Sequence, residues 1–145
     1  MLEEPTFDLN GFVPYLLNQA AEETSRGFEA FYKSRFGMLR AEWRVVFHLG
    51  HYGPMTARDI CARARMHKTK ISRAVQALET KRYLLRKPCR TDLRQERLSL
   101  TREGERVFRE LVKEAQRFDA NLLKGFTAAE CAQIREMLKR LARLG

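Results

Sequence analysis

Cysteine is scarce in this chain: there are three in 145 residues, at positions 61, 89 and 131, an odd number with no C-x-x-C pair. That spacing excludes a disulfide framework and supplies no ligand set for a structural zinc site. Long apolar runs are missing too, none approaching the roughly 18 residues that cross a bilayer. The opening residues, from Met1 to Asp8, are acidic where a signal or transit peptide would be basic, and no lipidation motif follows. A cytoplasmic protein with no membrane partner is therefore expected. Catalytic signatures are equally thin. There is no G-x-S-x-G, no phosphate-binding glycine loop and no motif with paired carboxylates, so neither an enzyme nor a cofactor is expected. The nearest thing to a metal site is His48 and His51, three residues apart on one helix, with Glu42 one and a half turns earlier. Without a third ligand in a recognisable motif, ordinary surface or core histidines account for that pattern, and no metal is expected. Acidic residues are in deficit: 18 Asp and Glu against 28 Lys and Arg leave a formal net charge of +10. A polyanionic partner is implied, although charge alone does not choose between nucleic acid, an acidic membrane and an acidic protein.

What the chain does contain is organised around Met55 to Lys87. Ala57, Ile60, Cys61 and Ala64 fall at i, i+3, i+4 and i+7, and Ile71, Ala74, Val75 and Leu78 repeat the spacing after a short polar break. Two short helices result, each with one apolar stripe. In the second, 3.6 residues per turn point Thr69, Arg73, Gln76 and Thr80 away from the stripe and set Lys70 and Ser72 on its flanks. Thr56 opens the first of the pair, and Asp59 three residues on completes a capping box. After Leu78, Tyr83 to Lys87 and Arg97 to Leu100 read as strands of a hairpin around a polar, mixed-charge loop that begins at Pro88.

The flanks are helical. Val13 to Tyr32 carries an apolar stripe with Pro14 in its first turn, and Gly37 interrupts the pattern. Arg40 to Tyr52 turns Trp43, Val46, Phe47 and Gly50 inward and stops at Gly53-Pro54. Thr101 caps a helix running to about Lys124, and Thr127 with Glu130 forms a second capping box that opens a last helix bearing Cys131, Ile134, Met137, Leu138, Leu141 and Leu144. The expected fold is mainly α: a helix-turn-helix with a two-stranded β-wing, flanked by long N- and C-terminal helices. One domain spans 1–145, with a core at 40–100. The helices at 10–36 and 101–145 exceed what that core needs for burial and are expected to bury their stripes against a second copy.

Arg86, then Asp92-Leu93-Arg94, then Leu100-Thr101 resemble the wing of the MarR (multiple antibiotic resistance regulator) family of bacterial winged-helix repressors and activators. Thr56, Leu78-Glu79 and Trp43 support the likeness, which covers nearly the whole chain. Two positions depart from the family's pattern. Arg82 stands where a glycine usually follows the recognition helix, so its left-handed C-cap is either strained or replaced. His67 stands where Ser, Thr or Asp commonly caps that helix, leaving the cap weak or shifted to Thr69.

The resemblance implies a homodimer on double-stranded DNA, with the wing's Arg94 in the minor groove and Asp92 orienting it or a neighbouring arginine. A guanidinium suits the focused negative potential there. Recognition helices present their N-terminal half to the major groove, which nominates Lys68, Thr69, Lys70, Ser72, Arg73 and Gln76. Arg73 suits a bidentate contact to guanine and Gln76 one to adenine. Arg86 and Arg90 either hold Asp92 or touch phosphate. For each of these residues the plain alternative is a solvated polar surface. Many members of the family are released from DNA by a small-molecule effector bound between the dimerisation helices and the winged domain. Tyr15, Phe31, Trp43, Phe47 and His51 are the candidates, with simple core packing as the alternative. Cys89, beside Arg86, Lys87 and Arg90, is a candidate for redox sensing. Two functions stand: a sequence-specific transcription regulator, nucleoid-associated when on DNA, or a winged-helix module binding nucleic acid or acidic proteins without specificity.

Overall fold

Four of the six α-helices described begin where an N-cap side chain, Thr56, His67, Thr101 or Thr127, accepts from a free amide of the first turn. The computed structural model describes residues 4–145, so the first three residues of the acidic opening lie outside it. A short 3-10 turn at Leu9–Gly11 precedes α1 (Val13–Phe36), and α2 (Arg40–Tyr52) follows. Then come β1 (Met55–Thr56), α3 (Ala57–Ala64), α4 (Lys68–Thr80), β2 (Leu84–Pro88), β3 (Glu96–Leu100), α5 (Arg102–Leu122) and α6 (Ala128–Ala142). Thr56 Oγ1 accepts from the Asp59 amide at 3.1 Å while Asp59 Oδ2 accepts from the Thr56 amide at 3.2 Å. Thr127 and Glu130 form the same reciprocal box, at 3.1 and 2.9 Å. At α4 the expected weak or shifted cap is corrected: His67 itself caps, its Nδ1 accepting from the Thr69 amide at 3.1 Å. An imidazole nitrogen takes the acceptor role usually filled by a short oxygen side chain.

The wing is three-stranded, not two-stranded, in the antiparallel order β1-β3-β2. Gly53, at φ 88°, turns the chain out of α2 so that Met55 pairs with Leu98 and Thr56 with Arg97. Two residues are too few to show an alternation, which is why periodicity does not reveal β1.

The core is the winged unit. Ile60 and Ala64 of α3, Ile71, Ala74, Val75 and Leu78 of α4, and Leu84 and Leu98 of the hairpin are all buried, as their spacing requires. On α2 the inward stripe differs from expectation: Glu42, Val45, Val46 and Leu49 are buried, while Trp43, Phe47 and Gly50 lie half-buried beside them. Those four stand at i, i+3, i+4 and i+7, and the charge on Glu42 conceals the period. Gly50 lets the Phe108 ring of α5 lie directly against the α2 backbone, and Gly104 does the same for the Tyr83 carbonyl; a Cβ at either position would collide.

The junction of α4 and the wing keeps its left-handed turn without glycine. Arg82 sits at φ 66°, the Tyr83 amide reaches back to the Leu78 carbonyl at 3.0 Å, and the Arg82 amide to that of Glu79 at 2.9 Å. This is a Schellman ending carried by arginine, the strained alternative of the two expected. Thr101 locks it, donating from Oγ1 to the Arg82 carbonyl at 2.7 Å and from its amide to that of Tyr83 at 3.0 Å.

The terminal helices are built otherwise. α1 buries Phe28 and Tyr32 in its second half but exposes Val13, Leu16 and Leu17 in its first. α6 buries nothing: Met137, Leu138 and Leu141 are exposed along one side, and among the described residues the helix makes no extensive packing against another element. Arg135 of α6 meets Asp119 of α5 at 2.7 Å. No described helix is long and apolar enough to cross a membrane.

Candidate nucleic-acid interface

Burying Ile71, Ala74, Val75 and Leu78 of α4 leaves one face of that helix to solvent. Lys68, Thr69, Lys70, Ser72, Arg73 and Gln76 are all exposed on it. The nominated residues of the recognition helix are thus brought together on one surface. The wing adds to it, because Arg94 and Arg86 line a single cleft with Ser72, Glu96 and Arg58. Arg58, in the first turn of α3, was not nominated from the sequence. Only the fold of the wing over α3 and α4 brings it to the cleft that Arg94 also lines.

Within the wing, Asp92 does not reach an arginine side chain. Its Oδ1 accepts from the Arg94 amide at 3.0 Å, and the Gln95 amide donates to the Asp92 carbonyl at 3.1 Å. Asp92 therefore fixes the backbone of the tip, and so the direction in which Arg94 leaves it, correcting the expected charge-assisted bond between side chains. Arg86 has two carboxylate partners, Glu79 at the end of α4 at 3.1 Å and Glu96 of β3 at 3.4 Å. It neither holds Asp92 nor stands free, and it ties the recognition helix to the wing. Arg90 lies with Lys87, Cys89 and Arg97 in a different cleft, together with Pro54 and Ser99. Cys89 is half-buried there in a cleft it shares with Lys87, Arg90 and Arg97, while Arg86 is drawn off by its two carboxylates.

Charge is segregated along the chain. Fifteen of the 28 Lys and Arg but only five of the 18 Asp and Glu lie between residues 40 and 100. The remaining 13 of each sign balance, so the whole excess of +10 sits on the winged unit. Among the described residues, no carboxylate pairs with Lys68, Lys70, Arg73, Arg90 or Arg94, whereas Arg26, Lys33, Arg35, Arg106, Arg117 and Arg135 of the terminal helices all have one. Arg44 is an exception of another kind: half-buried, it donates to the Ala64 carbonyl at 2.6 Å and closes the end of α3. Burial, with the like charge of Arg40 second, holds its guanidinium below the usual arginine value.

The five effector candidates do not come together. Phe31, Trp43 and Phe47 join an aromatic cluster around Phe28, with Trp43 at 5.3 Å from Phe28 and 5.1 Å from Phe47, and Phe108 closes it at 5.8 Å from Phe47. His51 instead packs on Tyr52 at 4.6 Å and is exposed, and Tyr15 stands on the first turn of α1, away from the cluster. The rings fill one another's space, as edge-to-face packing favours. Nor do Glu42 and the two histidines converge. Glu42 is bonded to Lys81, His48 Nδ1 lies 2.6 Å from the Arg44 carbonyl, and among the described residues no group of three His, Cys, Asp or Glu side chains is arranged to hold a metal ion.

A winged helix of this geometry has relatives. The model of the MarR family matches residues 36–95, from the last residue of α1 to the tip of the wing. The uncharacterized HTH-type transcriptional regulator YwoH of Bacillus subtilis is 28% identical over 91 residues, a match that spans 63% of this chain and 66% of that protein. Among solved structures, a MarR/EmrR family transcriptional regulator from Acinetobacter sp. ADP1 superposes with a TM-score of 0.84 at 24% identity, covering 94% of this chain and 96% of that one. The PcaV transcriptional regulator from Streptomyces coelicolor, solved in complex with its natural ligand, gives 0.79 at 20% identity over 97% and 99%. The last two are likenesses of fold. Over residues 36–95 the chain is similar to the MarR family of transcriptional regulators, and its fold as a whole is the one those solved structures share.

Proposed function

We propose that this protein is a homodimeric, sequence-specific DNA-binding transcription regulator that works in the cytoplasm and associates with the nucleoid when bound to its operator. The observation that carries this reading is that the exposed face of α4 and the wing cleft, with Lys68, Lys70, Arg73 and Arg94, belong to the segment that holds the whole of the chain's excess positive charge. Residues 40–100 act as the DNA-binding core. Arg73 and Gln76 read base edges in the major groove, Lys68, Thr69, Lys70 and Ser72 set the register on the backbone, and Arg94 enters the minor groove from a tip that Asp92 holds. Arg86 acts by clamping the wing to α4, and Arg90 serves the phosphates beyond the wing. The helices at 10–36 and 101–145 are the dimerisation region, their exposed apolar faces meeting those of a second copy. Two-fold symmetry then sets the recognition helices about one DNA turn, roughly 34 Å, apart, on a pseudo-palindromic operator.

A small-molecule effector is part of the same proposal, and PcaV with its natural ligand lends it support. Here such a ligand would enter between Phe31, Trp43 and Phe47 by displacing aromatic contacts, with Tyr15 and His51 approaching only if α1 shifts. Cys89, among the cations of the wing, is the second candidate input.

The test is a mobility shift of the dimer on the DNA flanking its own gene, against random competitor. Preference for the flanking DNA is expected, with log affinity falling against log salt at a slope near −7 if about eight phosphates are neutralised. Equal affinity for both DNAs would favour a nonspecific module, and a flat salt response would remove DNA as the ligand.

A further inference from the structure

Glu42 is the one buried charged residue among those described, 3% exposed, and both its carboxylate oxygens are used. Oε2 accepts from the Leu39 amide at 2.9 Å, closing the first turn of α2, and Oε1 accepts from Lys81 Nζ. The same ammonium donates to the Gly37 carbonyl at 2.9 Å. Gly37, at φ 62°, is the left-handed cap that ends α1, and Lys81 is the cap of α4, immediately before the left-handed Arg82. A single ammonium therefore joins three helix ends: the C-cap of α1, the start of α2 and the end of the recognition helix. On the far side of the same helix end, Glu79 grips Arg86 of the wing. Beside this bolt Met38, fully buried, plugs the linker between α1 and α2 into the core.

Burying the Glu42 carboxylate, with the Lys81 side chain half-buried against it, costs solvation that packing alone does not return. A pair of apolar side chains would hold the same core as well or better. The pair does something that greasy contacts do poorly, because two donor nitrogens and three acceptor oxygens fix direction as well as distance. We propose that the Gly37–Glu42–Lys81 bolt is a positioning device that transmits the orientation of the dimerisation helix α1 to the recognition helix α4, and thereby sets the half-site spacing that the dimer accepts. The proposal rests on the DNA-binding reading above. Lys81 and Glu42 are positioning residues on this view; neither is exposed on the face of α4 that carries Arg73.

The experiment uses the full chain and two variants, K81M and E42Q/K81M. The double variant keeps an acceptor for the Leu39 amide and leaves no unpaired buried charge. Duplexes selected by the wild type from random DNA are resynthesised with the half-sites one base pair closer, unchanged, or one or two base pairs further apart, and once as a single half-site. The double variant is expected to remain dimeric, to bind the single half-site within about twofold of wild type, and to lose about 5- to 10-fold of the preference for the native spacing. Amide hydrogen exchange should quicken together at Leu39 to Glu42 and in the last turn of α4, and leave α3 unchanged. An unaltered spacing preference in a folded variant would overturn the proposal. So would parallel loss of stability and half-site affinity in both variants, since the pair would then merely hold the core. If the wild type selects no DNA, it is the functional reading that falls, and the exchange experiment still decides the bolt: quickening confined to one side of it would count against any coupling.

Discussion

The winged unit and the terminal helices are two solutions to the same problem of what to do with surface. Between residues 40 and 100 nearly every apolar stripe is buried within the chain and the outside is left positive, with its most exposed cations unpaired. At the two ends the charges balance and pair off in ion pairs along the helices, while apolar side chains such as Val13, Leu16, Leu138 and Leu141 stay open to solvent. One region is complete in its core and incomplete in its charge. The other is the reverse. Each deficit names the partner that would cure it, a polyanion for the first and an apolar face like its own for the second.

The strongest way to break this division is to put charge on the apolar end. Leu138→Asp with Leu141→Asp places two carboxylates on the exposed face of α6, and sedimentation equilibrium is expected to show a monomer. Affinity for the full pseudo-palindrome should fall by about 100-fold, because the second half-site is no longer tethered at high effective concentration, while single half-site affinity stays the same. A dimer that survives both substitutions would show that the second copy docks elsewhere.

Next in size is the reverse operation, removing one cation from the charged end. Arg73→Ala is expected to cost about 1 to 3 kcal/mol of operator affinity and to flatten base preference at one position in each half-site, read by titration against single-base operator variants. Lys68→Ala should act more gently and without regard to sequence, lowering the magnitude of the salt slope by about 1 per site. Arg106→Ala or Arg117→Ala, whose side chains already pair with Glu103 and Glu114, should leave that slope unchanged. If they change it as much as Lys68→Ala does, the electrostatic division between the two regions fails.

The two regions also differ in how far they can be read from the sequence. Everything that rests on one helix's own period was legible: the outward face of α4, the boxes at Thr56 and Thr127, and the exposed stripe of α6. What depended on residues far apart in the chain was not. Arg86 finds Glu79 and Glu96 only once the hairpin folds back on α4, and Arg58 comes to line one cleft with Arg94 for the same reason. Glu42 broke the apolar pattern of α2 because its partner, Lys81, lies 39 residues away. The effector candidates are of another kind. Each was a plausible aromatic or histidine on an inward face, but cavities are properties of packed volumes, and the rings of Phe31, Trp43 and Phe47 fill theirs.

The smallest effect tests the joint where the two regions meet. Three arginines hold left-handed backbone: Arg65 at φ 53° and Arg82 at φ 66° in the winged unit, and Arg143 at φ 57° at the end of α6. A Cβ in that conformation costs roughly 1 to 2 kcal/mol, which glycine would relieve. Glycine also frees the unfolded chain, taking back about 0.4 to 1 kcal/mol. The net at Arg82 is a stabilisation of about 0.5 to 1 kcal/mol, seen as a higher urea midpoint at unchanged slope. The Thr101 hydroxyl donates to the backbone carbonyl of residue 82, a bond that glycine there keeps, so the hairpin should keep its angle and operator affinity its value. Arg143→Gly, made in a last turn with nothing packed beyond it, should move the midpoint by less than about 0.5 kcal/mol, because fraying there is nearly free. Equal shifts at the two positions would mean that α6 unfolds with the winged core as one unit, and that the division between the regions is one of surface chemistry alone.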